Sequence, residues 1–289
     1  MLDALLSQIV NGLVLGTLYV LIALGLSLVF GLLGIVNFAH GAFVALGAHF
    51  ALSLQQQFGW PAVVFAPLLA GICGAVVEVV LIRRMYNKEP LLTLILTFAL
   101  ALLMEALMRE VWGSGGQPFS PPPIFKGFVE YGAVLITTYR LAVLCITALL
   151  LVGLWVLLTR TPFGRILRAG SRDPEMVGLL GINLPRLMTT TFALGCFLAG
   201  AAGLLAAPLW TVTPSMGAAA IMPAFVIVTI GGLGSYAGAI VAGLLVGVVT
   251  ALAVQFQPQA STAAMYILMV LVLLVRPRGL FGERWERFE

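Results

Sequence analysis

The sequence predicts an all-α fold, a polytopic transmembrane bundle of about nine spans. Three observations carry this reading: 61% of the 289 residues are hydrophobic, 9% are charged, and the mean hydropathy is +1.11. A soluble domain keeps roughly a quarter of its residues charged in order to stay solvated. Here the polar surface is too small to coat a globule, so lipid is the solvent for much of the chain. The 32 glycines point the same way. Interior glycine weakens a helix in water, whereas small residues let helix backbones approach closely in a membrane. No stretch has the mixed composition of a soluble domain, and residues 1–289 read as a single transmembrane domain. The start, Met1-Leu2-Asp3, lacks the basic region of a cleaved signal peptide, so the first span is expected to be retained.

A hydrocarbon core about 30 Å thick needs roughly 20 helical residues to cross it. Suitable apolar runs occur at 8–30, 40–56, 61–82, 90–108, 140–159, 187–209, 218–233, 236–254 and 262–275. The runs 40–56, 218–233 and 262–275 are short or interrupted by glycine and read as tilted, broken or re-entrant, which gives a range of 8–10 spans.

Basic residues set the orientation. No Lys or Arg precedes Arg83, so three spans come before the first basic cluster, Arg83, Arg84 and Lys88. A second region, 109–139, holds Arg109 and Lys126 and is bounded by Arg140; Glu110 and Glu130 balance it. The loop 160–186 carries Arg160, Arg165, Arg168, Arg172 and Arg186, and the tail carries Arg276, Arg278, Arg284 and Arg287. Nine crossings with an external N-terminus place twelve of the fifteen basic residues in the cytoplasm, leaving 109–139 as an external loop. Its stretch 113–125, rich in Gly and Pro, reads as irregular solvated linker, or as a contact for a substrate-delivering protein.

Several chemistries are excluded. Lys88 and Lys126 are the only lysines, and neither follows a phosphate-binding loop. His40 and His49 are the only imidazoles, and no zinc motif contains them. Ser27, in an apolar helix, has no evident base for nucleophilic catalysis. Cys73, Cys145 and Cys196 lie in apolar runs without metal-ligand spacing and read as small buried hydrophobes. Glu78 lies close to Arg83 and Arg84, and Glu105 is one helical turn from Arg109, so both read as membrane-edge ion pairs rather than a proton relay. The chain therefore reads as a non-enzyme, with no metal site.

Three segments hold the functional candidates. In Gly34-Ile35-Val36-Asn37-Phe38-Ala39-His40-Gly41, Asn37 and His40 are candidate polar pathway residues; helix capping and inter-helix hydrogen bonding are the stronger reading. Gly34 and Gly41 mark a helix break. The run Gly231-Gly232-Leu233-Gly234-Ser235-Tyr236-Ala237-Gly238 reads as a tight, closely packed inter-helix turn, and its loose likeness to 31–41 leaves open an inverted repeat with broken helices meeting at midplane. In the cytoplasmic loop, Asp173 is an N-cap with Pro174 at the first helical position, and Gly181 closes a helix of about two turns. That helix carries Met176, Val177, Leu179 and Leu180, so it lies on the membrane surface or docks in a partner's groove.

These segments, with Thr161 to Asn183 and the tail Arg276-Pro277-Arg278-Gly279-Leu280-Phe281-Gly282, resemble the branched-chain amino-acid ABC permeases, the Liv-type family and its H-type subunit in particular. The likeness spans essentially the whole chain. It implies a permease subunit of an importer in a bacterial inner membrane. Its partners would be a second related permease, two cytoplasmic ATPases that use ATP, and a periplasmic binding protein; this chain would hold no cofactor and bind no nucleic acid. It also implies that the loop 160–186 couples to an ATPase through Phe163, Gly164, Arg165, Arg168, Asp173, Leu179, Leu180, Gly181 and Asn183. Met176, Val177 and Gly178 depart from the family's usual residues. Substrates in the family are branched-chain and other hydrophobic amino acids, while relatives handle amides, urea or aromatic acids. An autonomous secondary carrier or channel is the rival reading.

Overall fold

The computed structural model describes residues 2–86, 88–131 and 134–282; Arg284 and Arg287 lie outside them. In order, the helices are α1 (Leu2–Leu33), α2 (His40–Phe58), α3 (Ala66–Val80), α4 (Pro90–Trp112), α5 (Thr138–Arg160), α6 (Pro162–Arg172), α7 (Pro174–Leu179), α8 (Leu184–Ala206), α9 (Met216–Gly231), α10 (Tyr236–Phe256) and α11 (Ser261–Val275). Short 3-10 turns at Trp60–Phe65 and Ile82–Met85 extend α3 at both ends.

All nine apolar runs are helical. Among the described residues, seven stretches are long and apolar enough to cross a membrane: Leu5–Leu33, Trp60–Met85, Pro90–Trp112, Thr138–Arg160, Leu184–Ala206, Tyr236–Phe256 and Pro258–Val275. α9 is apolar but shorter, at 16 residues. α2, which carries His40, His49 and Gln55 to Gln57, is shielded by protein instead: eleven of its 19 residues are buried.

α1, α2 and α8 form the centre. Leu18, Leu21, Ile22, Phe43, Val44 and Phe192 have no solvent exposure. Backbones meet where glycine permits it: a Cβ on Gly247 of α10 would lie 2.4 Å from the Gly12 carbonyl oxygen of α1. α4, α5 and α11 are peripheral, and they show outward apolar rows such as Leu91, Ile95, Phe98 and Leu102 at helical spacing. Such rows suit lipid or another subunit.

α2 is re-entrant. The chain leaves α1 at Leu33, turns back through Gly34 (φ +66°), and begins α2 beside Ile22. Ile22 lies roughly 16 Å along α1 from its end, at about 1.5 Å per residue. α9 also begins inside the bundle, with Gly217 against Gly41. It runs to the opposite end from α2, so the first turns of two shortened helices meet in the interior.

The loops sort to two ends. At one end, Arg83 bonds Thr189, Gly170 packs near Leu32 and Leu187, and Leu280 N–H donates to the Ile230 carbonyl. Three basic regions therefore share one end. At the other, Arg140 bonds Asn11, Gln8 bonds Gln255, and Trp60 packs edge-to-face with Phe119. The segment 109–139 is more ordered than an irregular loop. α4 continues to Trp112, a 3-10 turn spans Pro123–Phe125, and strands β1 (Phe128–Tyr131) and β2 (Val134–Thr137) pair antiparallel, with Val129 opposite Ile136. The alternating Val, Tyr, Leu, Ile and Thr residues suit strands. Gln117 also bridges Val212 through both backbone bonds. Of the cysteines, Cys196 alone is fully buried; Cys73 is half-buried and Cys145 is exposed, facing outward from α5.

Candidate functional site

The interior helix break is held by a few polar atoms. Asn37 Oδ1 accepts from the Ala39 N–H at 3.0 Å, an Asx turn that leads into α2. His40 Nε2 lies 3.1 Å from the Ile22 carbonyl oxygen. A carbonyl only accepts, so Nε2 carries the proton, and Nδ1 of the neutral ring is a bare acceptor. Both side chains are fully buried, and Asn37 Nδ2 and His40 Nδ1 have no hydrogen-bond partner among the described residues. From α4, the Thr97 hydroxyl accepts from the Phe38 N–H at 3.3 Å and lies 3.3 Å from the Val36 carbonyl. The Phe38 ring packs on Phe225 of α9, with centroids 4.9 Å apart.

Glycine sets the closeness of this packing. A Cβ on Gly25 would come within 2.8 Å of the His40 ring, and one on Gly41 within 2.3 Å of the Gly217 carbonyl oxygen. At the basic end, Gly231 and Gly238 are in backbone contact across the α9–α10 turn, where Ser235 Oγ caps α10 by accepting from Gly238 N–H at 3.2 Å. Gly232 and Gly234 take φ values of +101° and +80°, and a Cβ on Gly234 would lie 3.7 Å from the Gly31 Cα, so the two glycine-rich breaks approach each other.

The loop after α5 is a pair of capped helices. The Thr161 hydroxyl accepts from Gly164 N–H at 3.3 Å, with Pro162 at the first position, and opens α6. Asp173 Oδ1 accepts from Met176 N–H at 2.9 Å and opens α7. Gly181, at φ +79°, ends α7, and Asn183 Oδ1 caps α8 through Arg186 N–H at 3.0 Å. α6 faces the bundle with Gly164, Leu167 and Gly170, and half-buried Phe163 packs against the core. Arg168 bonds the Leu158 carbonyl; Arg165 points outward. On α7, Val177 is buried, while Met176, Leu179 and Leu180 are 53%, 83% and 72% exposed. Three large apolar side chains therefore stand exposed at the end of the loop.

Residues 8–275 match the family described as "Branched-chain amino acid transport system / permease component". The chain belongs to this permease family. It is 31% identical to the high-affinity branched-chain amino acid transport system permease protein LivH of Escherichia coli K12, over 96% of each chain. It is 32% identical to BraD of Pseudomonas aeruginosa, again over 96% of both. Similarity extends to LivM of E. coli, at 30% identity over 91% of this chain and 67% of that protein. No solved structure matches. As a permease component the chain is not itself an enzyme, and separate subunits hydrolyse the ATP.

The permease brings some predicted residues together and separates others. Asn37, His40 and Gly41 share the interior break with Gly217; the Thr161–Asn183 loop lies at the basic end. Sequence reading missed α6, although Thr161-Pro162 is itself a cap signal. It also missed Thr189, which joins the Glu78–Arg83 pair. A cavity of about 500 Å³ opens at the far end beside Lys126, Arg140, Phe128 and Tyr139, and neither Asn37 nor His40 lines it.

Proposed function

We propose that this permease forms half of the translocation pathway of an ABC importer for branched-chain or other hydrophobic amino acids. It pairs with a second related permease, rests on two cytoplasmic ATPases, and is supplied by a periplasmic binding protein at the end that carries the β1–β2 ribbon. Its N-terminus faces the periplasm of a bacterial inner membrane and its C-terminus the cytoplasm. Three basic regions gathered at one end support this orientation, because basic loops stay inside. Similarity to both LivH and LivM supports a pair of homologous subunits.

The observation that carries the coupling role is α7. Its cap and its Gly181 terminus hold Met176, Leu179 and Leu180 outward, the form of an apolar anchor for a partner's groove. Phe163, Gly164, Arg168 and Asn183 set the seat of this anchor, and Arg165 adds a charge at its rim. Asn37 and His40 act at the interior break, offering one free donor and one free acceptor to a small zwitterion when α2 and α9 part.

Reconstitution tests the reading. Uptake of a labelled hydrophobic amino acid is expected only with the second permease, the ATPases, ATP and the loaded binding protein. Gradient-driven uptake by this chain alone would establish an autonomous carrier instead. Uptake of an amide, urea or an aromatic acid by the complete assembly, with hydrophobic amino acids excluded, would reassign the substrate. Leu179→Glu and Leu180→Glu are each expected to abolish ATPase co-purification while membrane insertion persists.

A further inference from the structure

Glu78 of α3 is a carboxylate with no solvent exposure, yet it is fully engaged. Arg83 donates to it twice, from Nε to Oε1 at 3.3 Å and from Nη2 to Oε2 at 3.1 Å. The Tyr86 hydroxyl donates to Oε1 at 2.5 Å. Burial, then the hydrogen bond and charge of Glu78, push the Tyr86 phenol above its ordinary range, so it remains the donor. The remaining partner comes from another part of the chain. The Thr189 hydroxyl of α8 lies 2.7 Å from Glu78 Oε2 and accepts from Arg83 Nη2 at 2.6 Å. The same hydroxyl lies 2.8 Å from the Pro185 carbonyl in the first turn of α8.

The place of this cluster gives it meaning. Asn183, the last residue of the coupling loop, caps α8, and Thr189 stands six positions further on. Glu78 sits two residues before the end of α3, and Arg83 and Tyr86 lie in the turn towards α4. A single charge-assisted network thus bolts the base of α8 to the α3–α4 turn. Bonds of this kind are about twice as strong as neutral ones, and a buried carboxylate does not give up its partners cheaply. An ion pair between Glu78 and Arg83 alone would anchor only α3 to its own turn; Thr189 makes the link cross between helices. α8 is a central helix, with Gly195 and Gly200 packed against α1 and α3, so its displacement reaches the bundle interior.

We propose that Thr189, through Glu78 and Arg83, is a positioning residue that carries movement of the coupling loop into α3 and α8 as one body. The proposal rests on the coupling role of α7, and the two are separable by experiment. The test uses the complete importer, purified with its ATPases and reconstituted, and measures amino-acid uptake per ATP hydrolysed alongside ATPase co-purification. Thr189→Val keeps the side-chain shape but removes the donor to Glu78 and the acceptor for Arg83. It is expected to lower uptake per ATP by about fivefold or more, the low end of coupling between distant sites, while the ATPases stay attached. Thr189→Ser restores the hydroxyl and is expected to restore the ratio. Tyr86→Phe removes one bond from the same carboxylate, and a fall in the ratio smaller than that of Thr189→Val is expected. An unchanged ratio in Thr189→Val, or a fall that Thr189→Ser does not reverse, would overturn the proposal. Detachment of the ATPases in Thr189→Val would also overturn it, because the residue would then support the docking surface. Failure of the docking reading shows elsewhere, as ATPases retained by Leu180→Glu.

Discussion

Gly41 and Gly217 place the first turns of α2 and α9 in backbone contact inside the bundle, where a Cβ on Gly217 would stand 2.4 Å from the Gly41 carbonyl oxygen. No flexible side chain is available to yield, so an added methyl must push the helices apart. Gly217→Ala is expected to destabilise the permease by about 1–3 kcal/mol, the usual range for overpacking. Thermal unfolding of the detergent-solubilised complex reads the effect. Gly153 on α5 has nothing within 4 Å of a built Cβ, so Gly153→Ala is the control. It should leave the midpoint unchanged or raise it, since alanine gains up to about 1 kcal/mol over glycine in a helix. Equal loss from both variants would show that the α2–α9 contact has no special weight.

The polar atoms at this junction make a second prediction. His40→Phe keeps the ring against Gly25 but removes the donor to the Ile22 carbonyl. The Ile22 carbonyl keeps its partner within α1, so the loss is that of one hydrogen bond, about 0.5–1.5 kcal/mol. Asn37→Ala removes the acceptor for the Ala39 N–H and should cost about 1 kcal/mol, as other cap losses do. If the two residues also serve the pathway, uptake falls further than stability explains. That comparison is made by assaying uptake well below each variant's unfolding midpoint.

Much of this architecture was written in local patterns. Apolar length located all nine runs, and the basic loops at 83–88, 160–186 and 276–278 do gather at one end. Asp173, Pro174 and Gly181 marked α7 because caps act over a few residues. What stayed hidden depends on distant partners. Glu78 showed its neighbour Arg83, five residues on, but not Thr189, 111 residues away. Gly41 showed a small residue, not Gly217 opposite it. Alternation in Val129, Tyr131, Leu135 and Thr137 was present, but the glycines and prolines nearby suggested an irregular loop. Val177 was counted with the exposed patch, yet the turn of α7 directs it inward, and helical spacing alone does not say which side the bundle lies on.

The α7 anchor gives a prediction that separates its shape from its apolar surface. Asp173→Ala removes the cap on Met176 N–H, and Gly181→Ala forces a side chain into a φ of +79°. Each should cost about 1 kcal/mol locally. Because α7 is short and lies outside the core, the global unfolding midpoint should hardly move. ATPase retention in increasing salt or detergent should fall instead, and least for Asp173→Asn, which keeps an acceptor. Retention equal to wild type in both variants would mean that Leu179 and Leu180 dock without needing this helix.

The tail offers the last test, because it closes the α9–α10 turn rather than hanging from α11. Leu280 N–H donates to the Ile230 carbonyl at 2.7 Å, and Phe281 N–H to the Gly231 carbonyl at 3.0 Å. These carbonyls end α9 and would otherwise lack partners. Gly279 makes the approach possible at φ +79°, with a built Cβ only 2.6 Å from Gly232 N. Gly279→Ala therefore strains the backbone and presses the tail off the turn. Amide exchange at Leu280 and Phe281 should accelerate, by about tenfold for each 1.4 kcal/mol of docking lost. Exchange at the α10 amides next to Gly238 should rise with it, since Gly231 packs on Gly238. Faster exchange confined to the tail would show that α9 and α10 hold their turn unaided.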